Sequence, residues 1–231
     1  MSSRNQVIWG FVFTVLIFLI ANLVGTITDL SSTFLSGSFM THLTMLLLSI
    51  ILIWVMMKQN LSFQIALPKF KEIFAPFFIG VLITIAVNIL MNIITTLAGG
   101  KITAHPLLQQ MNALQTFLFI FILASVAEEL LFRGFLQNSL KSLNRNSIKV
   151  FNLRLSLPVI IGAFTFGLVH LILISTGVDY LFLVRIVLFT TILGIAAGYY
   201  QEKYNNTTHA ILVHMGGNLP AIPGAAIINL Q

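Results

Sequence analysis

Six polar side chains of this chain sit inside long apolar runs, where polar groups are costly and therefore informative. Glu128 and Glu129 are adjacent in the stretch Ala124–Phe135, and Arg133 follows Glu129 by four residues. His170 follows Phe166 by four residues in FTFGLVHL, and Asn218 follows His214 by four in HMGGN. Together these residue types suit hydrolysis, which needs an activated water and hydrogen-bond donors for the oxyanion that its attack creates. A carboxylate shielded from water gains strength as a general base. An imidazole can position or polarise the same water. The set is therefore read first as a hydrolytic site.

The spacing predicts a division of labour between the two acids. An ionisable group at membrane depth costs at least about 2.5–3.5 kcal/mol, and two adjacent carboxylates also repel. Arg133 lies on the face of Glu129, one helical turn away, so those two are expected to pair. Glu128 points about 100° away and has no partner in its own helix. It is the candidate base. The plainer alternative is that both acids merely pin helices together. A lone histidine such as His170 equally suits a helix–helix hydrogen bond. Gly216 and Gly217 permit close backbone approach beside His214.

Other polar residues are assigned to structure. His209 falls on another face from His214, near the membrane edge. His42 and His105 are isolated, near a helix end or in a loop. Asn88 and Asn92 form a stripe suited first to interhelical hydrogen bonds and second to lining a cavity. Arg185 is expected to snorkel outward. Gly194 and Gly198 form a GxxxG packing pair.

The elements that must carry these residues are membrane helices. Of 231 residues, 58% are hydrophobic and 8% charged, against roughly 25% charged in soluble domains. Lipid can solvate such a surface where water cannot. Seven segments approach the ~20 apolar residues of a span: Val7–Ile27, Phe39–Met57, Ile73–Leu97, Leu114–Leu136, Leu155–Ser175, Tyr180–Tyr200 and Thr207–Leu219. The first is read as a retained helix, being longer than a usual signal h-region. The seventh is short and interrupted by Pro220, Pro223 and Gly224, with an apolar tail to Gln231. The expected fold is an all-α polytopic bundle of about seven spans, forming one integral domain over residues 1–231.

The net charge of +6 does not imply nucleic acid, because the basic residues are spread over short loops. With the N-terminus inside, the inner face receives Arg4, Lys58, Lys69, Lys71, Lys141, Arg145, Lys149, Arg154 and Lys203. The outer face receives Lys101 and Arg185. The bias favours a cytoplasmic N-terminus, an outer C-terminus and a site nearer the cytoplasmic side. Counted at about 1.5 Å per residue, Glu128 and His214 lie roughly 10–12 Å from that face. His170 lies about 22 Å from it if its helix begins at Leu155. Convergence then requires that this helix start later, project beyond the membrane, or tilt. The absence of cysteine excludes disulfides and thiolate ligands.

EELLFRG, FGLVH and HMGGN, in this order on separate apolar segments, resemble the CAAX protease and bacteriocin-processing (CPBP) family of intramembrane proteases. The family motifs EExxxR, FxxxH and HxxxN fall on Glu128, Glu129 and Arg133, on Phe166 and His170, and on His214 and Asn218. The likeness covers about residues 114–220, the expected catalytic core. It implies Glu128, His170, His214 and Asn218 as catalytic residues, with His214 and Asn218 stabilising the oxyanion, and Glu129, Arg133 and Phe166 in support. It implies membrane-associated peptide or protein substrates, such as prenylated C-terminal peptides, leader peptides or small membrane peptides, at the cell membrane. Some bacterial members serve bacteriocin self-immunity.

Two chemical schemes use the same residues. The favoured one is a metal-free glutamate protease, which needs no cofactor. The other is zinc-dependent, with Glu128, His170 and His214 as ligands and one position left for water. HExxH and GxSxG are both absent. A non-enzymatic alternative is a peptide-binding, immunity or transport protein that uses the same polar cluster. It is weakened by the lack of the repeats or paired broken helices usual in transporters.

Overall fold

The computed structural model describes residues 3–28, 34–35, 37–57, 64–103, 105–150 and 153–228. Lys58 and the last residues of the apolar tail, to Gln231, lie outside these. Among the described residues, seven helices are long and apolar enough to cross a membrane. The chain runs through α1 (Ser3–Ile27), α2 (Gly37–Met57), α3 (Phe70–Leu97) and the short α4 (Pro106–Gln109). It continues through α5 (Ala113–Gln137), then β1 (Ser147–Val150) and β2 (Leu153–Ser156). The remaining elements are α6 (Leu157–Val169), α7 (Tyr180–Tyr204), α8 (Thr207–Asn218) and α9 (Ala221–Ile228).

Two features depart from a simple bundle. The first is the antiparallel β1–β2 hairpin, where Ile148 pairs with Leu155 and Lys149 with Arg154. Like charges directly opposite one another are unfavourable. Arg154 Nε instead donates to Ser147 Oγ at 2.6 Å, drawing the guanidinium aside. The second is α5, which contains π-helical stretches at Thr116–Ala124 and Leu130–Gln137. A π turn leaves carbonyls misaligned with the α ladder, and side chains can take them up.

The ends of the helices follow local chemistry. Ser156 caps α6, accepting from the amide of Val159 at 3.3 Å, with Pro158 in the first turn. Asp179 caps α7, accepting from Leu181 and Phe182. Asn205, with φ 48°, closes α7 in the left-handed region that asparagine tolerates. Asn206 then caps α8, accepting from the amide of Thr208. The seventh span turns at Leu219 and Pro220 and resumes as α9, reaching Ile228. Pro220 has no amide hydrogen to continue the ladder.

Packing concentrates on α5. Half of its most apolar window is buried, against 22% for α3, so α5 is the central helix and α3 a peripheral one. Its Leu131, Phe132 and Phe135 form the core with Phe18, Met45 and Phe166. Large apolar residues such as Leu23, Trp54 and Leu82 face outward, as lipid solvation requires. Helices α3 and α8 meet backbone to backbone. A methyl group on Gly216 would strike the Phe77 carbonyl, and one on Gly80 the Val213 carbonyl. Gly194 and Gly198 of α7 similarly admit Arg133 and Gln137 of α5.

Candidate functional site

The central helix presents its two acids to different partners. Glu129 is fully buried and accepts from Arg133 Nη1 at 3.0 Å. The same oxygen, Oε1, lies 2.7 Å from Nδ1 of His214 on α8. The Arg133 guanidinium is also buried and stands 4.6 Å from the centre of the Phe166 ring. This ring thus supplies a cation–π face to a charge that has no water around it. The Arg133 carbonyl, in the second π stretch, accepts from Gln201 Nε2 at 3.0 Å and Asn138 Nδ2 at 3.2 Å.

Glu128 has no partner on α5 and two on other helices. Its Oε1 is 3.2 Å from Nε2 of His42 on α2. Its Oε2 is 3.8 Å from Nε2 of His214, beyond hydrogen-bond range. The Glu128 side chain keeps 12% of its surface exposed, enough to touch a water. His42 is the residue that reading the sequence missed. It stands on a helix with no motif, and its only signal was that an imidazole in a span needs a reason.

His170 approaches from α6. Its Nδ1 hydrogen bonds to the Phe166 carbonyl at 2.7 Å, one turn earlier in its own helix. The ring therefore folds back along its helix towards the hairpin end of the bundle. α6 begins at Leu157 rather than Leu155. In α5, which runs the opposite way, side chains lean away from the hairpin end. Both effects reduce the mismatch in depth between His170 and Glu128. Among the described residues His170 makes no hydrogen bond to Glu128, His42 or His214; its ring meets Phe18 and Phe166. Phe166 is the common wall, packing against Phe132 at 4.8 Å, His170 at 5.1 Å and His214 at 5.7 Å between ring centres.

Asn218 is tied to α5. Its Nδ2 donates to the Ile120 carbonyl, in the first π stretch, and to Ser125 Oγ, each at 3.1 Å. Both amide hydrogens are thereby engaged, and α8 is fixed at its far end. His214 Nδ1 fixes the middle of α8, and Thr84 Oγ1 of α3 donates to the Gly217 carbonyl at 2.8 Å.

The other polar residues stand apart from the acids. His209 stacks on Tyr204 at 4.0 Å and pairs with Glu72 at 3.5 Å. Asn88 bonds to the Thr84 carbonyl of its own helix instead of reaching another. Asn92 borders a groove of about 300 Å³ on the surface of α3. Arg185 donates to the Thr103 carbonyl at 2.7 Å, anchoring the loop after α3. In the same region His105 packs against Phe182. Burial, with His170 and Arg185 adding to it, lowers its pKa to about 4.

The imidazoles of His42 and His170 each direct Nδ1 at a backbone carbonyl, and that of His214 directs it at a carboxylate. Histidines that hold a metal bond their other ring nitrogen to a carbonyl or carboxylate in the same way. Yet among the described residues no three His, Cys, Asp or Glu converge with the spacing of a metal centre. The donor types fit zinc and the spacing does not, so no step below is routed through a metal.

Residues 110–220 match the family model described as Rce1-like, type II CAAX prenyl endopeptidase Rce1-like. That matched stretch runs from just before α5 to the end of α8 and agrees with the CPBP resemblance. No curated protein and no solved structure matches the chain.

Proposed function

From the premise that residues 110–220 are an Rce1-like segment of an intramembrane endopeptidase family, we propose that this chain hydrolyses a peptide bond near the C-terminus of prenylated CAAX-type substrates. The observation that carries the reading is the contrast between the acids. Glu129 is spent on Arg133 and His214, while among the described residues Glu128 Oε2 makes no hydrogen bond and stands 3.8 Å from His214 Nε2.

Glu128 Oε2 takes a proton from a water, and the resulting hydroxide attacks the scissile carbonyl carbon. His170 positions that water. With Nδ1–H committed to Phe166, a neutral His170 ring has a bare Nε2 that accepts from it. The oxyanion meets His214 Nε2. Because Nδ1 of His214 is spent on Glu129, donation there requires the imidazolium, whose charge Glu129 balances. Asn218 becomes the second donor by exchanging the neutral Ser125 hydroxyl for a charged oxyanion, a stronger acceptor. The C–N bond then breaks, and Glu128 returns its proton to the leaving amine. The zinc alternative would place Glu128, His170 and His214 around the ion.

The chain is read with its N-terminus and hairpin end in the cytoplasm, the peptide end of the substrate entering there and the lipid group remaining in the bilayer. The test is cleavage of a farnesylated CAAX peptide by purified protein in detergent. Glu128→Gln and His170→Ala should each lower kcat by roughly 10²–10⁴-fold in folded protein. A strong chelator should leave the rate unchanged. Full activity in folded Glu128→Gln would sink the proposal, and a binding role for the cluster would replace it.

A further inference from the structure

We propose that His42 is a positioning residue for the reactive carboxylate, holding Glu128 Oε1 so that Oε2 is the oxygen that meets water. This rests on the hydrolytic reading of Glu128, and it assigns a role to a helix outside the matched residues 110–220.

The geometry is specific. His42 is almost wholly buried and sits one turn after Ser38 in α2. Its Nδ1 is 2.7 Å from the Ser38 carbonyl and 3.2 Å from Ser38 Oγ. A carbonyl only accepts, so Nδ1 carries a hydrogen and the ring orientation is fixed. That leaves Nε2 aimed at Glu128 Oε1 at 3.2 Å. The general-base reading needs Glu128 ionised, so the proton between these two atoms belongs to His42 Nε2, which donates to Oε1 and ties it to α2. Oε2, 3.8 Å from His214 Nε2, remains on the side of His214.

A free carboxylate in this position could rotate about its terminal torsion, which is broad and roughly two-fold. It could then present either oxygen or neither. The α2 contact removes that freedom. Ser38 and His42 therefore do for Glu128 what Arg133 does for Glu129, but across helices. Loss of such orientation weakens the chemical step rather than substrate binding, because a small misplacement of a reacting group costs rate.

The test uses the full-length chain and the farnesylated CAAX peptide. His42→Phe keeps the ring volume and removes the hydrogen bond. His42→Gln keeps a side-chain amide able to reach Glu128. His42→Phe should lower kcat by about 10- to 100-fold with KM within about twofold, and His42→Gln should recover most of the loss. Unchanged kcat in folded His42→Phe, a loss confined to KM, or equal defects in both variants would overturn the assignment. A second measurement does not depend on activity. In a thermal-unfolding cycle of His42→Phe, Glu128→Met and the double variant, the two effects should be non-additive. Additive effects would overturn the contact itself. If wild-type protein cleaves nothing while the cycle still shows coupling, the peptidase reading fails and the His42–Glu128 pairing stands.

Discussion

Adjacent glutamates usually share an environment, yet here a rotation of about 100° per residue sends them to separate partners. The Glu129–Arg133 pair was legible from its four-residue spacing, and so was the lack of a partner for Glu128 within α5. The second contact of Glu129, from His214, was not. It joins residues 85 positions apart, and no spacing rule reaches across a helix crossing. His42 was hidden for the same reason. The buried triad of Glu129, Arg133 and His214 has a sharp energetic consequence. Removing one member of a buried ion pair leaves an uncompensated charge and costs about 3–5 kcal/mol, whereas replacing the pair by apolar residues is often tolerated. Arg133→Met should therefore unfold far more readily in detergent than wild type. The double variant Glu129→Leu/Arg133→Met should recover much of that loss. Thermal unfolding of the three proteins checks this, and a double variant as weak as Arg133→Met would contradict it.

At the scale of elements, the site depends on how closely α8 can approach its neighbours. His214 and Asn218 project from the same helix that Gly216 and Gly217 press against α3 and α7. The glycines were recognisable as permitting close approach, though the partner was not. A periodic reading of α5 also had no means of finding its π stretches, since an apolar run looks the same in either ladder. Yet those stretches expose the carbonyls of Ile120 and Arg133 to Asn218 and Gln201. Gly216→Ala places a methyl group against the Phe77 carbonyl, a backbone atom that cannot swing aside. Overpacking of this kind costs about 1–3 kcal/mol. It should also displace His214 from Glu129, lowering cleavage more than stability. Gly224→Ala meets only Leu108 at 4.0 Å and should behave as wild type. Equal activity of the two variants in a peptide-cleavage assay would separate the glycine contact from the site.

At the scale of the whole molecule, the spans were legible because most are apolar runs of about the right length; the seventh, interrupted by Pro220, Pro223 and Gly224, read as short and in fact extends to Ile228. The hairpin was not, because four-residue strands in a charged loop carry too little periodicity to register. That hairpin nevertheless marks one end of the bundle. Lys149 and Arg154 lie on it, close in sequence to Lys141 and Arg145, whereas Lys101 stands in the loop after α3, at the opposite end. Positive charge near span ends resists translocation, so the hairpin end should face the cytoplasm. The chain contains no cysteine, which makes single-cysteine labelling clean. Lys149→Cys and Lys101→Cys both replace exposed side chains. In sealed, right-side-out vesicles a membrane-impermeant maleimide should label Lys101→Cys at once, and Lys149→Cys only after the membrane is opened. The reverse order would invert the bundle. It would put the hairpin end at the outer surface and contradict the proposed entry of a cytoplasmic prenylated tail from that end. The orientation therefore constrains the substrate class independently of any cleavage assay.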